Sequence, residues 1–151
     1  MRWPWKKTTE RRQMILGKTS GEIISELTNG ANLVEGEQTW EYSESYKDDI
    51  EMMKRCCAAE LKTMKAANIV PAPFYFYRVA VLSRKIKNYE QEVTYCETYI
   101  KAVEEFYANL NSPNIADVRK GPRYKSIVDR LPKAKELLNK HGEETGRGDR
   151  T

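Results

Sequence analysis

Cys56, Cys57, Cys96 and the single histidine, His141, are by type the four ligands of a Cys3His zinc site. Their spacing argues against one. Neighbouring residues of a helix project about 100° apart, so Cys56 and Cys57 cannot easily grip one ion. Cys57 and Cys96 also fall on apolar stripes, where cysteine serves as a small buried hydrophobe. A reactive thiol needs a polarising neighbour, and the spacing indicates none. His141 stands just before Gly142 in what reads as a last helical turn, where its ring favours the negative helix end. Catalysis by a Ser-His-Asp or Cys-His pairing would rest on that one residue. The adjacent carboxylates Asp48 and Asp49, and Glu104 and Glu105, read as solubilising groups on exposed faces. No enzyme, metal site or cofactor emerges.

Phosphate binding is the next chemistry to weigh. Residues 17–21, GKTSG, resemble the end of a phosphate-binding loop, but the first glycine of that motif would have to stand at position 12, which is Arg12. A strand should precede such a loop, whereas a charged arm precedes this one. Thr19 and Glu22 instead form a capping box at the start of a helix. The RGD at 147–149 lies in a polar tail and reads as chance.

Charge is segregated along the 151 residues. The arm at residues 1–13 carries Arg2, Lys6, Lys7, Arg11 and Arg12 against Glu10, with Trp3 and Trp5 interleaved; residues 19–60 hold ten acids and three bases; residues 118–141 hold eight bases and two acids. Cations with interleaved aromatics can contact phosphate and stack on bases. The arm and the 118–141 segment therefore raise a nucleic-acid-associated accessory protein as an alternative. The acidic stretch, with Trp40 and Tyr42, raises an inhibitor or immunity-type protein that blocks a partner enzyme. Solvated faces that pair internally would produce the same pattern. No apolar run approaches the roughly 20 residues of a membrane span. The amino terminus has no apolar h-region, and three cysteines without regular spacing fit a reducing compartment, so a cytoplasmic location is expected.

The elements that must position these groups are helical. Ile23, Ile24 and Leu27 make a short helix ending at Asn29-Gly30, and residues 35–38 read as a loop. Tyr46, Ile50, Met53, Cys57, Leu61 and Met64 recur every three or four residues, a helix that stops near Asn68 ahead of Pro71 and Pro73. Residues 74–82, FYFYRVAVL, have strand-like composition but do not alternate. As a helix they give one stripe of Phe76, Val79, Ala80, Ser83 and Ile86, and a second of Phe74, Tyr77 and Val81, the pattern of a helix sandwiched between two others. After the turn KNY comes the stripe Tyr89, Val93, Cys96, Ile100, Val103, Tyr107 and Leu110, with a second edge of Tyr95, Tyr99, Ala102 and Phe106. The last pattern runs from Tyr124 to Leu138. Pro132 interrupts it at a cost of about 3 kcal/mol, which predicts a kink or a fresh helix there and a stop at Gly142. The expectation is an all-α, compact bundle of about five helices, organised as an arm (1–13), a single helical domain (14–142) and a disordered tail (143–151).

Phe74 to Glu105 resembles one tetratricopeptide unit, two antiparallel helices joined by a short turn. Phe76 stands at the first large position, Val79-Ala80 at the Leu-Gly pair and Tyr89 at the tyrosine after the turn, while Val93 and Cys96 take apolar positions of the second helix. Glu92 and Tyr99 depart from it by standing where the family places alanine, and Glu104 stands near the expected proline. The resemblance covers about a fifth of the chain and implies a non-catalytic adaptor or regulator that binds another protein on a helical surface. Tyr75, Arg78, Lys85, Tyr95 and Tyr99 are the expected contact residues.

Overall fold

A computed structural model describes residues 19–110 and 116–148. Among them are five α-helices and one two-stranded sheet, an all-α bundle in which a small N-terminal module sits on the first long helix.

The module opens with α1, Ser20–Leu27. Thr19 and Glu22 close the expected capping box, each accepting the other's backbone N–H at 3.2 Å. The helix ends in a Schellman motif: Asn29 takes the left-handed conformation, and the Gly30 and Asn29 N–H groups donate back to the Ser25 and Glu26 carbonyls. Residues 35–38, expected to be loop, instead complete a hairpin between β1, Leu33–Val34, and β2, Glu37–Gln38. Its two turn residues, Glu35 and Gly36, both have positive φ (51° and 82°), the conformation whose twist matches antiparallel strands. A 3-10 turn, Thr39–Tyr42, follows, and the Tyr42 hydroxyl donates to the Val34 carbonyl at 2.7 Å.

Helix α2 spans Ile50–Ala67. It starts four residues after Tyr46, because Asp49 serves as N-cap by accepting the Met52 N–H at 3.1 Å. Asn68, left-handed at φ 53°, ends it. Helix α3, Pro73–Lys85, begins with proline at the position where no intrahelical donor is needed. Between α3 and α4, Tyr89–Ala108, a second Schellman motif built on Lys87 (φ 59°) runs directly into the Asn88 N-cap, giving the expected tight turn. A 3-10 turn at Val118–Lys120 leads to α5, Pro122–Gly148.

Helix α5 differs from its sequence reading. Of the two outcomes expected at Pro132 a fresh helix is excluded, since the proline lies inside one continuous element, and the helix runs past Gly142 through residues expected in the tail. Pro132 is exposed, so water can satisfy the carbonyl its ring frees. Beyond it, Glu136 holds Lys133 and Lys140 at 3.4 and 3.0 Å, i,i+3 and i,i+4 pairs that support the following turns.

The core lies where α3 meets α2, α4 and α5. Met53, Cys56, Cys57, Phe76, Val79, Ala80, Cys96, Tyr99, Val103 and Ile127 are almost wholly buried there. On α4 the buried line is Glu92, Cys96, Tyr99, Val103 and Phe106, rotated toward the expected second edge because this helix packs on α3 and α5 together. Glu92, fully buried, is held by two guanidinium groups. Arg84 of α3 donates through Nε at 3.0 Å and pairs through Nη2 at 2.9 Å, and Arg130 of α5 does so at 3.1 and 3.0 Å. Among the described residues no helix is long and apolar enough to cross a membrane.

Candidate functional site

The five expected contact residues do not form one surface. Tyr75 and Tyr99, read as open to a partner, are buried at 4% and 0% exposure. Tyr99 offsets its burial with a tertiary hydrogen bond that local spacing cannot reveal. The Tyr99 hydroxyl donates to the Pro71 carbonyl at 2.9 Å and its ring lies tilted against Phe76, centroids 4.8 Å apart. Burial pushes the Tyr75 phenol up to about 12. Arg78 is spent on the segment before α2, where it donates to the Lys47 carbonyl and pairs with Asp48. Lys85 is exposed and Tyr95 half-buried, its ring 6.3 Å from Phe76.

The basic segment is largely neutralised within the chain. Arg119 pairs with Asp117 and Glu104, Arg130 with Glu92, Lys133 and Lys140 with Glu136, and Lys135 with Glu97. Arg123 lies over the Phe74 ring at 4.8 Å. Arg2, Trp3, Trp5, Lys6, Lys7, Arg11 and Arg12 of the arm, and Asp149 of the RGD, lie outside the described residues. Of the acidic-aromatic stretch, Tyr42 is core whereas Trp40 is exposed, its indole N–H held by Gln38 at 2.9 Å.

The cysteines are all buried. Burial pushes the thiols of Cys56 and Cys96 up to about 11, and raises that of Cys57 further. Among the described residues no group of three or more His, Cys, Asp or Glu side chains is arranged to hold a metal ion. His141 is exposed on α5, its ring 5.7 Å from Tyr89 of α4.

What the fold does build is a groove of about 680 Å³ between the N-terminal module and α2. One wall is residues 28–31 with Leu33, Val34 and Glu35, the segment set by the Schellman end of α1 and the hairpin. The other is one face of α2, with Arg55, Lys62 and Lys65 projecting around Ala58, Ala59 and Ala66. The helical period brings these α2 residues to one side, since they stand three, four or seven apart. Small alanines leave the volume; the cations rim it.

The groove's walls are fixed independently of any ligand. Glu60 of α2 accepts the Thr39 hydroxyl at 2.8 Å and the Ala72 N–H at 3.0 Å, clamping the module and the α2–α3 link to the same side chain. Burial raises its carboxyl above the ordinary 4.5, and those two hydrogen bonds oppose the rise. At the hairpin tip Glu35 holds Arg55 at 2.7 Å, which raises the guanidinium's pKa. Lys62 and Lys65 are exposed and enter no ion pair among the described residues.

The sequence pattern assigns no function to Arg55, Lys62 or Lys65. Cations at i, i+7 and i+10 with alanines at i+3, i+4 and i+11 were the available signal. Comparison with protein-family models, curated proteins and solved structures found no match to this chain.

Proposed function

We propose that this chain is a non-catalytic protein-interaction module, an adaptor or regulator, that receives a segment of another protein in the groove between its N-terminal module and α2. The observation that carries this reading is the groove itself: a preformed concavity with a small-residue floor and two exposed lysines that no carboxylate among the described residues neutralises. Such a surface offers a partner apolar contact and charge without reorganisation, and preorganisation lowers the cost of binding. The resemblance of the α3–α4 hairpin to a tetratricopeptide unit supports the same class, because stacked helical hairpins leave grooves for partner segments. Internal pairing of the 118–141 cations weighs against nucleic acid as the principal ligand.

The test is affinity purification of the wild type and of Ala58→Trp, which fills the groove from an exposed position, beside Thr98→Trp on α4 as a control. A specific protein captured by the wild type and by Thr98→Trp, and lost with Ala58→Trp, is the expected result. Capture indifferent to Ala58→Trp, or capture of no specific protein, would refute the proposal.

A further inference from the structure

The cations of the groove bear on what kind of segment would fill it. Arg55, Lys62 and Lys65 lie along one face of α2, and at about 1.5 Å per residue the first and last are about 15 Å apart along the axis. An extended chain covers that distance in about five residues, with alternate side chains on one face. Facing the cations are small apolar groups and the turn backbone, so a ligand can lay its chain between the walls while its charged side chains reach α2. The chain already seats one carboxylate there. Glu35, on a non-glycine residue with positive φ at the hairpin tip, bonds Arg55 at 2.7 Å, and both side chains are about half exposed. This contact marks the position and distance at which a foreign carboxylate could stand. Lys62 and Lys65, farther along the same face, have no such carboxylate among the described residues.

We infer that the partner segment is acidic and extended, about five residues long, with carboxylates on Lys62 and Lys65 and a further carboxylate that displaces Glu35 from Arg55. This rests on the groove reading above and deepens it by naming the ligand's chemistry. Glu35 then acts as an internal competitor that keeps Arg55 occupied until an acidic segment arrives. Being exposed at both ends, the Glu35–Arg55 pair is weak enough to exchange.

The probe is a fluorescein-labelled decapeptide alternating glutamate with leucine, followed by anisotropy at low ionic strength. Counterparts carry glutamine or lysine in place of glutamate. The glutamate peptide is expected to bind at least about tenfold tighter than either counterpart. Lys62→Glu with Lys65→Glu should weaken it by about tenfold or more, since exposed pairs are individually modest and two are reversed. Glu35→Gln should tighten it by about two- to fivefold on the same scale. Lys62 and Lys65 are exposed, and an unchanged urea midpoint verifies that their variants fold.

Equal binding of the glutamine or lysine peptide, no binding of the glutamate peptide, or binding indifferent to the lysine reversals would overturn the inference. If these occur while Ala58→Trp still abolishes capture of a protein partner, the groove reading survives and the acidic ligand is wrong. If Ala58→Trp has no effect on either measurement, the groove reading itself fails. A dimer in sedimentation that Ala58→Trp dissociates would make a second copy the occupant and overturn the inference. Lysine-dependent binding unaffected by Glu35→Gln would overturn the displacement of Glu35 from Arg55.

Discussion

Replacing Glu92 by glutamine should test what holds α5 to the α3–α4 hairpin. Glu92 is fully buried, and Arg84 and Arg130 approach it with four nitrogen contacts between 2.9 and 3.1 Å. Glutamine keeps the volume but removes the charge and one acceptor, leaving two guanidinium groups without their counter-ion. Breaking a buried ion pair from one side costs about 3–5 kcal/mol. Because Arg84 and Arg130 keep 30% and 18% of their side-chain exposure, part of the loss is recovered by water, and the low end, about 3 kcal/mol, is expected. With a urea slope of about 2 kcal/mol/M the midpoint should fall by about 1.5 M, and the melting temperature by about 6–12 °C. The assay is urea unfolding followed by circular dichroism. A companion variant with Glu92, Arg84 and Arg130 all changed to methionine should lie within about 1 kcal/mol of wild type, since apolar replacement of a buried ion cluster is often neutral. A midpoint for Glu92→Gln within about 0.3 M of wild type would refute the reasoning, as would a triple variant weaker than the single one.

Two further predictions concern titration and thiol access. Burial raises the native pKa of Glu60 above 4.5, so the folded state binds the proton more tightly than the unfolded one. The associated stability is fully present below the unfolded value and is lost as pH rises through the native value. Unfolding midpoints of wild type and Glu60→Gln, measured against pH, should therefore diverge, the wild type losing ground as pH rises; parallel curves would contradict it. The three cysteines are buried with raised pKa values, so near pH 8 a disulfide reagent should modify them only on unfolding. Intact-mass measurement should show no adduct on the native chain and three on the denatured one, and rapid native labelling would count against the packing of α2 on α3 and α4.

Helices were the legible part of the sequence because their signals are local. The 4-3 spacing on α2 and α4, the Thr19–Glu22 box and the Pro71–Pro73 break all act within a few residues, and each marks a helix or helix end, although α2 starts later and the α4 buried face is rotated. Features settled by distant partners were not legible. Tyr99 looks amphipathic in its own helix, but its hydroxyl is satisfied by a carbonyl 28 residues away, so it enters the core without penalty. Glu92 reads as a misplaced charge until Arg84 and Arg130, 8 and 38 residues away, are seen to meet it. The hairpin at residues 33–38 was hidden by its brevity, with two residues per strand too few to show alternation. The end of α5 was misjudged for a related reason: a glycine or a proline weakens a helix, and lysine–glutamate pairs beyond Pro132 offset part of that loss.

The candidate site was the least legible feature, because a groove is defined by missing volume. Ala58, Ala59 and Ala66 give no hydrophobic signal strong enough to mark a surface, and Lys62 and Lys65 look like ordinary solvated charges. Their role emerges once the turn after α1 and the hairpin are placed opposite them, an arrangement set by Glu60, Thr39 and Ala72.

Site-specific photo-crosslinking from the groove reveals whether another protein occupies it. A benzoylphenylalanine at Ala58, within the groove, and another at Thr98, on the exposed side of α4, would be irradiated in the cells that make this protein. A discrete adduct with another protein is expected from position 58, absent from position 98 and lost when Lys62 and Lys65 are both changed to glutamate. The same adduct pattern from both positions, or none from position 58, would contradict the groove reading.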